Sequence, residues 1–293
     1  MIRVLGTIFA GLLGLAFGSF LNVCLSRWPA GESVVSPRSH CRGCGRALSW
    51  WENVPVVSWL ALRGRCRSCG AWISWRYPLV ELAVAATWSL IAWRFLDSAL
   101  DLTGAALPFE LLRVVGRMIL CWLLIALAAF DAEDLWLPDR LTWLGIAIGF
   151  LYCLIPLPFL GTFALVHVGN NVYIQAVIAS LLGILAAAGL ILLIRWIYWL
   201  IRRREGIGLG DAKLMAMLAA WLGLQGALLS FAIGVVLGAM AALVVLLLPS
   251  TRKNNEGWAA TKLPLGTFLC VGGIVSSFWG EQMIHAYLRW AGF

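Results

Sequence analysis

The sequence predicts an all-α polytopic membrane protein of about eight transmembrane helices, with a small cytosolic domain inserted after the first. Three observations predict it. First, the 293 residues are 62% hydrophobic and 12% charged, with a mean hydropathy of +0.90. Several apolar runs reach the roughly 20 residues that cross a bilayer. Second, basic residues are shared unevenly between alternate connections. With spans at 4–25, 79–96, 113–130, 140–158, 172–194, 212–224, 229–248 and 264–288, the connections 26–78, 131–140, 195–213 and 250–262 hold 17 of the 22 Lys and Arg residues. Arg3, Arg94, Arg113, Arg117 and Arg289 fall on the other side. This positive-inside bias puts the four basic connections in the cytosol. Third, connection 26–78 is polar, long enough to fold on its own terms, and carries four cysteines in two pairs. Topology and anionic membrane lipids account for the net charge of +8 more economically than nucleic acid does.

The first run, Val4–Leu25, is too long for a signal-peptide core and reads as a retained span. Gly14, Gly18 and Ser19 allow a neighbouring helix to approach closely, and Asn22 is a polar contact of the kind that holds membrane helices together. The cytosolic segment 26–78 holds Cys41-Arg42-Gly43-Cys44 and Cys66-Arg67-Ser68-Cys69, with 21 residues between the pairs and a glycine (Gly45, Gly70) after each. Four thiolates at this spacing suit a closed, tetrahedral, structural zinc site. Disulfides are disfavoured in the reducing cytosol. So short a segment builds little core, so the metal would supply much of its folding energy. His40 adjoins Cys41, but four thiolates already complete the coordination. Cys24, Cys121, Cys153 and Cys270 lie singly in apolar runs and read as packing residues. Trp50, Trp51, Trp75 and Tyr77, mixed with arginines, read as interfacial anchors. Glu81, just inside the second span, either reaches the headgroups and arginines or belongs to a functional site.

Two further acids carry the chemistry. Asp131 directly continues the apolar run Met118–Phe130 and opens the loop that holds Glu133, Asp134 and Asp139. Glu133 and Asp134 are expected to face solvent, and Pro138-Asp139 reads as a helix start. The connection 159–171, after Pro156 and Pro158, carries no Lys or Arg, as an external loop should. Asp211 lies in Gly206-Ile207-Gly208-Leu209-Gly210-Asp211-Ala212-Lys213, behind Arg202, Arg203 and Arg204 and ahead of the run Leu214–Leu224. An acid at the mouth of a membrane helix is costly to keep, which marks it as functional. Helix capping also accounts for Asp211 and is compatible with catalysis. Lys213 either stabilises charge nearby or extends to the interface. The topology puts Asp131 and Asp211 on the same face of the membrane. Two carboxylates held close cannot both ionise readily, so one keeps its proton, as an aspartic protease requires.

Taken together, these stretches resemble the type IV prepilin peptidase family. The resemblance rests on Gly18-Ser19-Phe20-Leu21-Asn22-Val23, the two cysteine pairs, Glu52-Asn53-Val54-Pro55 with Ser58-Trp59-Leu60, and Arg76-Tyr77-Pro78-Leu79-Val80-Glu81-Leu82. It continues through Phe130-Asp131, Leu137-Pro138-Asp139 and Gly208-Leu209-Gly210-Asp211-Ala212-Lys213, nearly end to end. It implies a bifunctional enzyme of the bacterial inner membrane with its site facing the cytosol. Such an enzyme would cleave the leader of type IV prepilins or type II secretion pseudopilins after glycine. It would then N-methylate the new N-terminal residue, usually Phe, with S-adenosylmethionine as donor. The resemblance maps the catalytic pair onto Asp131 and Asp211. It divides the chain into a first transmembrane helix (1–25), a cytosolic zinc-binding domain (26–78) and a membrane-embedded GxGD aspartic peptidase domain (79–293).

Glu52 stands where many members have Asp, and Pro264-Leu265-Gly266-Thr267-Phe268-Leu269 departs from the family's usual proline- and glycine-rich run, leaving the last span's part in the site open. No Rossmann-type glycine motif is visible, so the methyl-transfer half rests on the resemblance. Segment 26–78 is where a donor pocket is expected, with Glu52 and Asn53 along its edge and Glu81 and Lys213 as further candidates. Peptidase activity without methyl transfer, or a proton-coupled carrier using the same acids, are the alternatives. A carrier would show two related halves with broken helices, and no repeat is seen. A zinc hydrolase would need an open metal position and an H-E-x-x-H motif, and has neither. A membrane protein with a merely structural docking domain would tolerate replacement of the acids.

Overall fold

The computed structural model describes residues 2–100, 106–154, 172–204, 208–247 and 264–292. Connections 159–171 and 250–262, Pro156 and Pro158, and Gly206 and Ile207 lie outside the described residues. The described residues form helices and turns, with two isolated antiparallel bridges and no strand. The long helices are α1 (Ile2–Arg27), α3 (Arg76–Leu100), α4 (Ala106–Asp134), α5 (Asp139–Leu154), α6 (Val172–Arg202), α7 (Leu209–Leu247) and α8 (Leu265–Trp290), and α2 (Val57–Ala61) is short. Within the described residues, each predicted run falls on a helix. The runs at 212–224 and 229–248 are two rods of α7, broken at Gly223, where φ is 71° and ψ is 174°. Among the described residues, four stretches are long and apolar enough to cross a membrane: Ile2–Arg27, Glu110–Asp134, Ile174–Arg202 and Leu209–Val245.

Several boundaries differ from expectation, three of them with an identifiable cause. The first is the C-terminus of α4, which runs one turn beyond residue 130, so Asp131 lies inside its last turn. It ends where Leu135 turns left-handed (φ 50°) and returns its N–H to the Asp131 carbonyl at 3.0 Å. At its other end α4 starts at Ala106, inside the predicted 97–112 connection, because Pro108 is tolerated in a first turn whose N–H groups need no partner. Finally, α6 continues to Arg202, carrying the exposed Trp196, Tyr198 and Trp199 of an interfacial belt.

The chain divides into two compact units, 1–126 and 127–293, with the division inside α4. In the first unit α1 lies along α3. A Cβ at Gly14 would meet the Ala85 Cα at 2.7 Å, and one at Gly18 would meet the Glu81 Cα at 2.7 Å, so these backbones touch only because the residues are glycine. Indole N–H groups brace the packing. Trp88 donates to the Met118 carbonyl at 3.0 Å and Trp122 to that of Phe17 at 3.2 Å.

In the second unit α7 packs against α5, α6 and α8. Its first rod is pinned by Trp221, whose Nε1 donates to the Gly145 carbonyl at 2.8 Å, with Gly149 leaving room for the ring. The second rod meets α8 through small residues. A Cβ at Gly272 would meet the Ser230 carbonyl at 2.3 Å, and one at Gly234 the Leu269 backbone at 3.1 Å. This contact holds the start of α8 beside the end of α4.

Candidate functional site

The second unit brings Asp131 and Asp211 together. Asp131 is 6% exposed and Asp211 8%, and the charge of Asp131 reaches Asp211. Cys270, fully buried one turn into α8, feels both charges. Each acid is fixed by local helix chemistry. Asp211 is the third residue of α7, and its Oδ2 accepts the Gly208 N–H at 3.2 Å, the return bond of a capping box. Asp131 acts across helices. Its Oδ2 accepts the Thr267 N–H at 2.6 Å and lies 3.1 Å from the Thr267 hydroxyl, which also reaches the Ala128 carbonyl at 3.1 Å. The first-turn N–H groups of α8 are unpaired within the helix, and its N-cap, Pro264, offers no side-chain acceptor, so Asp131 fills that role.

Glycines let the elements converge. A Cβ at Gly266 would lie 2.9 Å from Asp131 Oδ2, and one at Gly210 would lie 3.1 Å from Leu137 Cδ1. Lys213 turns to Asp139, with Nζ 2.6 Å from Oδ1, which ties the start of α7 to the start of α5. Glu133 and Asp134 are exposed. Sequence reasoning misses Thr267 and Gly266 as site residues. The signal available for them is Pro264 ahead of an apolar run, since a helix start offers N–H groups to an anion.

The first unit holds the cysteines. The Sγ atoms of Cys41, Cys44, Cys66 and Cys69 all lie within 4.8 Å of one another, and Cys41 and Cys69 are 3.7 Å apart. A tetrahedron of sulfurs around zinc has edges of roughly 3.8 Å, so the set fits this ion. The two pairs are built alike. Cys41 N–H bonds the Arg46 carbonyl at 2.9 Å and Gly45 N–H bonds that of Cys41 at 2.8 Å. Cys66 and Ala71, and Gly70 and Cys66, repeat both bonds at 2.8 and 2.9 Å. Gly45 and Gly70 take φ of 72° and 71°, which turns each loop back under its thiols. The backbone N–H groups of Cys69 and Ser68 hold the Cys66 thiol down at about 6.

The remaining candidates go to different partners. Glu52 is buried: Oε2 accepts the Ser49 N–H at 2.7 Å and Oε1 meets Arg46 at 2.5 Å. The Ser49 N–H, then Arg46, hold its carboxyl below the usual carboxylate range. Asn53, next to it, is exposed. Glu81 is buried, accepts the Val56 N–H at 2.7 Å, and has the side chains of Ser19 and Asn22 beside it. Asn22 gives its NH2 to the Tyr77 carbonyl at 2.9 Å, which fixes the amide and leaves its buried Oδ1 without a partner. Carboxylate and amide oxygens of this kind suit a cationic group.

Comparison with known proteins bears on both units. Residues 12–95 match the bacterial peptidase A24 N-terminal domain, and residues 118–243 match the type IV leader peptidase family. A prepilin leader peptidase/N-methyltransferase of Pseudomonas aeruginosa is 34% identical, covering 96% of this chain and 93% of that protein. Proteins of the same name are 34% identical in Xanthomonas campestris, over 98% of this chain and 96% of that one, and 36% identical in Burkholderia pseudomallei, over 93% and 85%. No solved structure matches.

Proposed function

The chain belongs to the type IV leader peptidase family, and from that membership we propose that Asp131 and Asp211 are its catalytic pair. The protein cleaves the leader peptide of prepilins and N-methylates the residue that cleavage exposes. The observation that carries the assignment of the pair is the meeting of two buried carboxylates from the end of α4 and the start of α7, distant in sequence, with Asp211 within reach of the charge of Asp131. In such a pair one acid takes a proton from water as it attacks the scissile carbonyl, while the other gives a proton to the carbonyl oxygen. Cleavage follows a glycine at the cytosolic face of the bacterial inner membrane, which the distribution of Lys and Arg supports. The exposed Glu133 and Asp134 attract the basic leader of a prepilin or pseudopilin. Lys213 braces Asp139, and so supports the start of α7.

All eight helical runs cross the membrane, and one structural zinc on Cys41, Cys44, Cys66 and Cys69 staples segment 26–78. S-adenosylmethionine supplies the methyl group from its sulfonium. We assign Glu52, Asn53 and Glu81 to the methyl-transfer side. The acceptor oxygens of Glu81 and Asn22 support this, being suited to the ammonium of the new N-terminus or the cationic donor. The test is purified enzyme with a synthetic precursor and S-adenosylmethionine, with mass spectrometry reading cleavage and methylation together. Asp131→Asn and Asp211→Asn should each abolish cleavage while the protein still inserts. Substantial cleavage by either variant would sink the pair.

A further inference from the structure

The two acids of the site are held unequally. Asp131 Oδ2 receives the Thr267 N–H at 2.6 Å and has the Thr267 hydroxyl at 3.1 Å. Among the described residues, Asp211 Oδ2 receives one N–H, from Gly208, at 3.2 Å. Both carboxyls are seated at helix N-termini, Asp131 at that of α8 and Asp211 at that of α7, while Asp131 also rides on the last turn of α4, whose dipole opposes its charge. The number and length of the donors at Oδ2 work in the other direction. The N–H at 2.6 Å, with the hydroxyl that Asp131 shares with the Ala128 carbonyl, favours an ionised Asp131 more than an N–H at 3.2 Å favours an ionised Asp211. Other charged groups nearby do not reverse the order. Lys213 is engaged with Asp139, Glu133 and Asp134 are exposed, and Cys270 is a buried thiol that feels both acids.

Resting on the reading of Asp131 and Asp211 as the catalytic pair, we propose that Asp131 is the ionised base, Asp211 carries the proton, and Thr267 is the positioning residue that separates their roles. Asp131 takes a proton from water, whose oxygen bonds the scissile carbonyl carbon. Asp211 gives its proton to the carbonyl oxygen, forming a neutral gem-diol. In the second half Asp131 returns its proton to the amide nitrogen, the C–N bond breaks, and Asp211 recovers a proton from a gem-diol hydroxyl. Both acids end as they began, with no net change beyond hydrolysis.

The test uses two reagents that need opposite protonation states. An epoxide is opened by a carboxylate oxygen, and the ring oxygen then takes a proton from water. A diazoacetamide accepts the proton of a carboxylic acid at carbon, loses N2 and bonds the carboxyl oxygen. Full-length enzyme in detergent is treated with each reagent and the esters are mapped by mass spectrometry. The expected result is epoxide ester on Asp131 and diazo-derived ester on Asp211. The reverse pattern, or equal labelling of both acids by either reagent, overturns the assignment. If Asp131→Asn or Asp211→Asn still cleaves precursor, the pair itself fails, which is a separate outcome. Thr267→Val keeps the shape and the N–H but loses the hydroxyl, and should reduce the epoxide's preference for Asp131 on the order of tenfold. Thr267→Ser should restore it, and an unchanged preference in Thr267→Val removes Thr267 from the role.

Discussion

At the residue scale the site depends on what is absent as much as on what is present. Gly266 has no side chain where a Cβ would meet Asp131 Oδ2 at 2.9 Å and Cγ at 3.0 Å, while nothing lies within 4 Å of a Cβ at Gly189 in α6. Gly266→Ala should therefore push Asp131 off the start of α8 and lower cleavage at least roughly tenfold, whereas Gly189→Ala should leave it unchanged, since displacements of about 1 Å at a reacting group are this costly. Both are measured as kcat/KM on a synthetic precursor. Asp131 and Asp211 were legible because a carboxylate at the mouth of an apolar run is costly to keep and is seldom kept without a function. Thr267 was not, because it offers Asp131 a backbone N–H that any residue but proline carries and a hydroxyl of a kind common in membrane helices, and only the placement of α8 gives either meaning. Glu52 illustrates the opposite limit. Its charge is plain in the sequence, but its engagement with Arg46 and the Ser49 N–H depends on a turn that the sequence does not display.

At the element scale the break in α7 sets where the helix that begins with Asp211 stops being one rod. Gly223 occupies a region of backbone space open essentially to glycine alone. Gly223→Ala should destabilise the second unit by about 1–3 kcal/mol, read as a lower Tm in detergent, and full retention of Tm would mean the break is not required. Hydropathy gives the two apolar runs as separate spans, 212–224 and 229–248, whereas the break falls at Gly223, inside the first of them. Gly226 has an ordinary helical φ and no such constraint. The overlong α6 was missed for a related reason. Arg195 and Arg202 mark a change in solvent rather than the end of a helix, and the helix continues through the interface with its aromatics outward.

At the scale of the whole molecule, apolar helices and a cluster of four thiols organise different parts of the chain. The first unit carries a segment whose turns are organised around four thiols, and the second is, in its described residues, helices joined by short connections. Protein purified without chelator should contain one zinc per chain by elemental analysis. Replacing either cysteine pair with serine should speed proteolysis within 26–78, and zinc-free protein with unchanged proteolysis would count against the site. The all-helical class and the cysteine cluster were legible from composition and spacing. The grouping of α3 with α1 was less so, because it rests on backbone contact at Gly14 and Gly18 rather than on any boundary in composition. The seating of Asp131 on α8 has a consequence for how this chain can drift. Reactive residues are commonly a burden on the fold that carries them, so that removing one makes the protein sturdier while ending its activity. Here the aspartate also closes the open end of a neighbouring helix. With Asp131 in the catalytic role proposed for it, a chain that loses the carboxylate would give up turnover and cohesion together, and the usual bargain of a sturdier but inert variant would be closed to it at this position.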